Sequence, residues 1–303
     1  MNLHTHTNYC DGKNEPIAYI QQALELNWDI VGFSAHAPLP FKSPWTIREN
    51  LIDSYLIELN ALRTHFKSEI NIAIGWEIDY LEGKGFFALE DERISQADFL
   101  ICSIHYLSNP KPDDKIAGYL EIDGDFNVFQ GLLKLYNGDL KALLNNYLTS
   151  LDSCLSINNP KIKIIGHLDK IIINAEKTSL FKPLRNWFYM SIIFILEKHK
   201  KKSQKNIIEI NTRSIYHLNR SIPYPSLEIL QYLHEVQSPC IISSDSHHPS
   251  ELNLGFLECR NLIIKNGLKL NFVNHEIESF LNTNSKIEFK NAGNTEKIFP
   301  AFF

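Results

Sequence analysis

The sequence predicts an α/β fold built as one closed or nearly closed β/α barrel, and two observations lead to this prediction. Short runs rich in Ile, Val and Phe alternate with longer amphipathic stretches along the chain, which is the pattern of parallel strands that are buried on both faces and joined by helices. Seven strand candidates follow one another across the 303 residues without a linker rich in Pro, Gly or Ser. A single large barrel is therefore favoured over two small domains.

Each predicted strand is a short apolar run, and each predicted helix carries apolar residues along one face. The strands are Asn2–His6, Ile30–Phe33, Ile70–Trp76, Phe99–Ser103, Ile162–Ile165, Ile207–Ile210 and Cys240–Ile242. The helices cover roughly Pro16–Asn27, Leu51–Phe66, Leu140–Leu155, Pro183–His199, Ser226–His234 and Pro249–Lys265. Residues 109–125 are expected to form a long loop at one end of the barrel. We expect residues 1–282 to form the barrel and residues 283–303, which show little pattern, to form a peripheral tail.

The composition argues against several classes of protein. The formal net charge of -5 provides no basic surface for general nucleic-acid binding. The five cysteines are scattered and include no CxxC pair, which indicates neither a disulfide framework nor a thiolate zinc site and suits a reducing cytoplasm. No run approaches the roughly 18 apolar residues of a membrane helix. We therefore expect a cytoplasmic protein without a nucleic-acid or membrane partner, and the sequence does not indicate its oligomeric state.

The N-terminal segment carries the first metal-binding pattern. In an extended strand, side chains two positions apart point to the same side, so His4 and His6 can converge on one ion. Asp11 follows in an Asp-Gly turn, where the chain folds back toward the same point. A solvated pair of histidines would give the same pattern, and the ends of the other strands decide between the two interpretations.

Metal-binding side chains also stand at the ends of most other predicted strands. They are His36 after the second strand, Glu77 at the end of the third, His105 after the fourth, His167 after the fifth, and Asp245 with His247 after the seventh. The carboxyl ends of barrel strands share one face, and active sites form there. Six of the seven predicted strands therefore deliver imidazole or carboxylate groups to the same rim.

Nine such ligands exceed the needs of one four-coordinate zinc ion, so we expect two or three adjacent divalent ions with Glu77 as a bridging carboxylate. A shell of imidazole and carboxylate without thiolate suits Zn, Mn, Fe or Co. Clustered ions of this kind lower the pKa of a bridging water and neutralise the charge of a phosphoryl transition state. Hydrolysis of a phosphate ester is therefore the expected reaction.

The motifs that hold these ligands resemble those of the PHP (polymerase and histidinol phosphatase) superfamily and, within it, the histidinol-phosphatase branch. They span residue 2 to about residue 267, in the family's order, and read His4-Thr-His-Thr-Asn-Tyr-Cys-Asp-Gly12, Phe33-Ser-Ala-His-Ala-Pro38, Glu77-Ile-Asp-Tyr80, Gly166-His-Leu-Asp-Lys170, Glu209-Ile-Asn-Thr-Arg213 and Ser244-Asp-Ser-His247. The resemblance implies a single distorted (β/α)7 barrel with three metal ions. It also implies hydrolysis of L-histidinol phosphate to L-histidinol and phosphate in histidine biosynthesis.

Carried over position by position, the resemblance implies three ligand sets. They are His4, His6, Glu77 and Asp245 for one metal, Glu77, His105 and His167 for a second, and Asp11, His36 and His247 for the third. The chain departs from the family pattern at Ala35, where many relatives carry an acidic residue, and at Ser103, where many carry Gly. Neither departure falls on a ligand.

Arg213 is the best candidate for binding the substrate phosphate. It comes just after the sixth strand on the same rim, and a guanidinium group binds phosphate oxygens in a bidentate fork. The expected mechanism is in-line attack on phosphorus by a hydroxide that bridges the metals. Asp245 and His247 are the candidates for protonating the departing oxygen. The loop 121–125 is one source of acidic groups for the cationic substrate amine, although its Asp-Gly pair is also a common turn signal.

Three other functions stay open at this point. A PHP-type phosphoesterase acting on nucleotides or on another small phosphate ester would carry the same metal site, although a nuclease is expected to have a basic groove. An amidohydrolase-type barrel also begins with His-x-His, but it bridges its metals with a modified lysine on strand four, where this chain has Cys102-Ser103-Ile104-His105. A non-enzymatic scaffold would have lost ligands, and all nine positions are kept.

Overall fold

A parallel sheet forms the centre of the protein, for which a computed structural model describes residues 1–110, 118–157, 162–200, 206–275, 277 and 279. The sheet has seven strands in the spatial order β1-β2-β3-β6-β7-β8-β9. They are Ile30–His36 (β1), Asn71–Asp79 (β2), Phe99–Ser103 (β3), Ile162–Ile165 (β6), Asn206–Asn211 (β7), Pro239–Ser243 (β8) and Asn271–Phe272 (β9). A separate antiparallel hairpin pairs Tyr106–Ser108 (β4) with Tyr119–Glu121 (β5).

The N-terminal segment joins the two sides of this sheet. Asn2 forms an isolated parallel bridge to Val31 of β1, and Thr5 forms another to Ser246, just beyond β8. Ser246 O accepts a hydrogen bond from His6 N at 2.8 Å. The sheet therefore curls into the predicted distorted barrel. The prediction of a regular strand at Asn2–His6 is wrong, because these residues meet each neighbour only at isolated bridges.

Helices connect the strands, as the alternating sequence pattern predicts. They are Pro16–Glu25 (α1), Ile52–His65 (α2), Glu92–Ser95 (α3), Phe126–Leu135 (α4), Leu140–Ser156 (α5), Ile172–Ala175 (α6), Phe181–His199 (α7), Arg213–Leu218 (α8), Leu227–Val236 (α9) and Phe256–Lys265 (α10). Aspartates cap α4 and α5, where Asp125 accepts from Asn127 N and Asp139 from Ala142 N.

One helix prediction needs correction. The segment predicted as a helix over Pro249–Lys265 contains a 3₁₀ turn at Pro249–Glu251 and then α10, with Gly255 between them. Gly255 has a φ of 76°, which lies in the left-handed region that interrupts a helix and that glycine adopts most easily. The short strand β9 was also not predicted, because two residues are too few to form a recognisable apolar run.

The predicted loop at residues 109–125 is partly regular. Its C-terminal part forms β5, while residues 111–117 lie outside the described residues. The tail predicted for residues 283–303 also lies outside them. In the described part of the chain, no helix is long and apolar enough to cross a membrane.

Candidate metal centre

The fold brings all nine predicted metal ligands together at the carboxyl end of the barrel. His36 is the last residue of β1 and pairs in register with Glu77 of β2. Seven of the nine residues are buried, and Asp11 and His247 keep 29% and 14% of their side chains exposed. The two exposed members mark the side of the centre that solvent and a substrate can reach.

The donor atoms converge in overlapping groups. Within each group, one donor atom from every residue lies within 4.8 Å of the others. The groups are His6, Asp11, His36 and His247; His4, His6 and Asp245; His4, Glu77 and His167; and His36, Glu77 and His105. Glu77 belongs to two of the four groups, so its carboxylate lies between them, as a bridging ligand would.

The chemistry of this donor set fits divalent metal ions. Glu77 Oε2 lies 2.9 Å from His36 Nδ1, 3.2 Å from His4 Nε2 and 3.4 Å from His6 Nε2. Yet each of these four atoms is buried and makes no hydrogen bond within the described residues. A buried polar atom without a partner costs about 1–3 kcal/mol, so such a concentration is unfavourable in an ordinary core. Cations held between these atoms would remove that cost.

The pKa values of two predicted ligands, Glu77 and His6, favour the same conclusion, whereas neighbouring carboxylates raise the pKa values of His4 and His105 in the metal-free protein. Burial raises the pKa of Glu77, but the histidines around it, His36 and His4 foremost, outweigh burial and hold it well below its usual range. The pKa of His6 falls to about 3, chiefly because of burial and then because of the neighbouring imidazoles. An ionised carboxylate and a neutral imidazole are the forms that bind a metal ion.

The backbone at Asp245 adopts a special conformation. Its φ of 55° lies in the left-handed region, which is uncommon for residues other than glycine and which Asp tolerates better than most. Asp245 O accepts hydrogen bonds from Arg213 Nη1 at 2.8 Å and from His247 Nδ1 at 3.0 Å. This turn therefore fixes the position of a predicted phosphate-binding arginine relative to two predicted metal ligands.

Two carboxylates to which the sequence assigned no role orient two of the predicted histidine ligands. Glu209 Oε1 lies 2.5 Å from His4 Nδ1, and Asp79 Oδ1 lies 3.0 Å from His105 Nδ1. Each carboxylate accepts a hydrogen bond from the Nδ1–H group and so leaves Nε2 available to bind a metal. Histidine ligands of metal ions are usually oriented by such a hydrogen bond. A sequence signal existed for both, because Glu209 is an acidic residue within an apolar run, and Asp79 lies two positions after Glu77 and therefore on the same side of an extended strand.

A cavity of about 320 Å³ opens beside the donor groups. Predicted ligands line it together with Arg213, Lys170, Glu121 and Asp123. Trp45 adds an aromatic wall, and its ring lies 4.5 Å from that of His36. The cavity therefore combines metal-binding groups, cations and carboxylates within reach of one small molecule.

The comparison with known families agrees with this arrangement, because the model of the PHP domain matches residues 2–213. The chain belongs to the PHP domain family. The matched range contains seven of the nine predicted ligands and ends at Arg213.

This PHP domain is similar to curated relatives and to solved structures over most of its length. The histidinol-phosphatase of Bacillus subtilis is 23% identical over 84% of this chain and 95% of its own length. The structure of histidinol phosphate phosphatase from Lactococcus lactis, in complex with zinc, L-histidinol and phosphate, is 22% identical with a TM-score of 0.62, covering 89% of this chain and 94% of its own. A Listeria monocytogenes structure has a TM-score of 0.70 at 22% identity and covers 84% and 98%. These structural similarities confirm the fold.

The predicted ligand sets of the PHP domain can be compared with the observed groups. His105 and His167 both approach Glu77 Oε1, at 3.5 and 3.1 Å, and their Nε2 atoms lie 3.3 Å apart. The structure adds His6 to the set of Asp11, His36 and His247, because its ring lies 4.2 Å from that of His36. His6 therefore stands between two of the predicted sets.

Proposed function

We propose that this PHP domain hydrolyses L-histidinol phosphate to L-histidinol and phosphate, as a step of histidine biosynthesis in the cytoplasm. The observation that carries the proposal is one cavity that is lined by five of the nine predicted ligands, the Arg213 guanidinium group and the Glu121 carboxylate. The other four predicted ligands belong to donor groups that overlap with these five. The similarity to histidinol-phosphatases over 84% of this chain supports it. We further propose that residues 1–282 form the catalytic barrel and that residues 283–303 are a peripheral tail.

Three divalent ions are the proposed cofactors, and Zn, Mn, Fe and Co all suit the donors. They would be held by His4, His6, Glu77 and Asp245, by Glu77, His105 and His167, and by Asp11, His36 and His247. When bound, ions of this kind activate water near neutral pH and neutralise phosphoryl charge. Glu209 and Asp79 would keep the imidazoles in the metal-binding tautomer.

Arg213 is proposed to bind and orient the phosphate. Its guanidinium group lines the cavity, and within the described residues its contacts with Asp245 O at 2.8 Å, Tyr216 Oη at 3.3 Å and Glu251 Oε2 at 3.8 Å all involve Nη1. Its remaining N–H groups are the donors for phosphate oxygens. Asp245 and His247 remain the proposed groups for proton transfer to the departing oxygen. Both ring nitrogens of His247 have neighbours, since Nε2 lies 3.1 Å from Asp11 Oδ2.

Glu121 is proposed to bind the cationic amine of the substrate. It lines the same cavity, and within the described residues its carboxylate makes no hydrogen bond or ion pair. Burial and the neighbouring Asp123 raise its pKa more than His105 and Lys170 lower it. The ionised carboxylate therefore lacks part of its compensating charge, which the substrate amine would supply. A nucleotide offers only anionic phosphate at its reacting end and gains nothing from this carboxylate. Glu121 thus favours histidinol phosphate over nucleotide substrates.

Phosphate release tests the proposal directly. The metal-free protein is reconstituted with each metal in turn and assayed with histidinol phosphate, several nucleotides and a generic phosphate monoester. We expect histidinol phosphate to have the highest kcat/KM. A preference for a nucleotide would replace this function with that of a nucleotide phosphoesterase, and inactivity with every ester at full metal content would contradict both.

Arg213→Ala sharpens the assignment of the phosphate site. The loss of a charge-assisted contact of about 1.5–3 kcal/mol is expected to lower kcat/KM about 10- to 150-fold while the bound metal is unchanged. Arg185→Ala removes an exposed arginine of α7 and is the matched control. Wild-type kinetics in Arg213→Ala would remove Arg213 from the site.

A further inference from the structure

Lys170 is a cavity residue to which no role has been assigned so far. It follows β6 in the turn that also carries His167, and Lys170 N donates to His167 O at 2.8 Å. Only 16% of its side chain is exposed, and its Nζ lies 3.4 Å from His105 Nε2. A largely buried ammonium group is unfavourable unless anions surround it, so its position calls for an explanation.

Asp123 supplies one anion and fixes the ammonium group in place. Asp123 Oδ2 lies 2.9 Å from Lys170 Nζ. The turn that carries Asp123 is itself held by α6, because Asn174 Nδ2 donates to Ile122 O at 3.1 Å and to Gly124 O at 2.9 Å. These hydrogen bonds fix the backbone on both sides of Asp123, and the ion pair in turn fixes the position of Lys170 Nζ.

This ion pair leaves part of the ammonium group unused. An ammonium group has three N–H donors, and Asp123 takes one of them. The His105 Nε2 lone pair is the proposed metal-binding one, so it is not an acceptor for Lys170 in the metal-loaded protein. An ammonium beside metal cations is also repelled unless an anion lies between them. A phosphate group in the cavity would accept a hydrogen bond from the ammonium group, and it would also place an anion between that group and the metal ions.

We propose that Lys170 is a second phosphate-binding cation of the active site, beside the predicted metal ligand His105, and that Asp123 is its positioning residue. The inference rests on the proposed function for its choice of phosphate. Arg213 approaches the cavity from the turn after β7, and Lys170 approaches it from the turn after β6. Together they contact the phosphate from two neighbouring strand ends.

The affinity for inorganic phosphate tests this role without relying on turnover. Isothermal titration calorimetry with phosphate compares the metal-loaded wild type with Lys170→Met and Lys170→Arg, and metal content is measured in each sample. Lys170→Met is expected to bind phosphate about 10- to 100-fold more weakly at full metal content, since it loses a charge-assisted hydrogen bond. Lys170→Arg keeps the charge and is expected to stay within about fivefold of the wild type.

Two control variants separate this role from simpler ones. Lys182→Met removes an exposed lysine of α7 and the same net charge, and it is expected to leave phosphate affinity unchanged. In Asp123→Asn the ammonium stays but loses its anchor, so we expect a smaller loss of affinity than in Lys170→Met. If Lys170 only neutralises Asp123, Lys170→Met will lose stability, Asp123→Asn will restore it in the double variant, and phosphate affinity will not change.

Two results would overturn the assignment. One is a phosphate affinity of Lys170→Met and of Lys170→Gln within twofold of the wild type at full metal content. The other is a loss of bound metal in these variants, which would make Lys170 part of the metal site instead. Neither depends on the preferred ester, so a protein that does not hydrolyse histidinol phosphate still tests the role of Lys170.

Discussion

The two ends of the barrel interior are filled in opposite ways. At the amino ends of the strands an apolar cluster closes the barrel, made of Leu3, Ile30, Ala73, Phe99, Ile101, Ile164, Ile241, Val273 and Ile277. The Phe99 ring fills the space above Gly75, where an added Cβ would lie 2.4 Å from it. At the carboxyl ends the interior holds imidazoles and carboxylates, several of whose buried atoms have no hydrogen-bond partner in the described part of the chain.

This difference separates stability from function. Apolar burial stabilises the amino end by about 25 cal/mol for each Å² removed from water. The carboxyl end concentrates polar groups whose desolvation is unfavourable until a ligand arrives. Substitutions at the amino end are therefore expected to change the free energy of unfolding, and substitutions at the carboxyl end to change metal binding and catalysis.

Glu77→Gln gives the largest expected effect and belongs to the polar end. Glu77 lies in two of the four donor groups, so its loss disturbs more than one proposed metal. Since a metal contributes several kcal/mol to transition-state stabilisation, we expect kcat/KM to fall at least about 10³-fold. Bound metal, measured by mass spectrometry, falls with it, while circular dichroism shows a wild-type fold. Full metal content with full activity would contradict the proposed bridge.

Phe99→Ala is the reciprocal change at the apolar end. Removing a buried phenylalanine ring costs about 3–5 kcal/mol of unfolding free energy, which urea unfolding of the metal-free protein measures. Metal bound per folded molecule is expected to stay at the wild-type value. Ile101→Val is the milder companion, with a loss of about 0.5–1.5 kcal/mol. If Phe99→Ala lost as much bound metal as Glu77→Gln, the apolar end would contribute to metal binding, and the proposed separation of stability from function would be wrong.

Glu209→Gln tests whether the hydrogen bond between Glu209 and His4 contributes to metal affinity. Glutamine has a single acceptor oxygen, so when that oxygen accepts from His167 N, which lies 2.7 Å from Glu209 Oε2, its NH2 group faces His4 Nδ1 and cannot accept the ring N–H. We expect metal affinity to fall about 10- to 100-fold in a competition with a chelator. Glu228→Gln, on the partly exposed surface of α9, is the control. Unchanged affinity would mean that Glu209 has only a packing role.

Asp169→Asn has the smallest expected effect and concerns pH. Asp169 is fully buried, Oδ2 accepts from Ser226 N at 2.8 Å, and burial raises its pKa from 3.8 to about 6. Between these values the folded protein binds a proton that the unfolded chain has lost, so the free energy of unfolding decreases as pH rises through this window.

Asparagine removes that pH dependence. We expect Asp169→Asn to raise the free energy of unfolding of the metal-free protein by about 2 kcal/mol above pH 7 and to change it little near pH 4. Urea unfolding at both pH values measures the difference. An equal change at the two pH values would show that the ionisation of Asp169 is not its cause.

The sequence alone predicts which residues lie at the ends of the strands and which metal-binding groups they carry. His4 and His6 are two positions apart in an extended segment, and His36, Glu77 and His167 each follow an apolar run, so local spacing places them on one rim. The alternation of strands and helices predicts the barrel for the same local reason. These patterns depend only on neighbouring residues, which a single sequence displays.

The tertiary structure alone decided which distant groups meet. The sequence does not show that Glu209 supports His4 across 205 positions, or that Asp123 lies beside Lys170. Nor does it show that residues 2–6 form isolated bridges instead of a strand. The physical reason is that side-chain alternation fixes the face on which a residue lies, whereas its partners depend on strand order, the curl of the sheet and the path of loops. The sequence by itself thus predicted the metal ligands and the barrel, and the structure determined the contacts that these side chains make with distant residues.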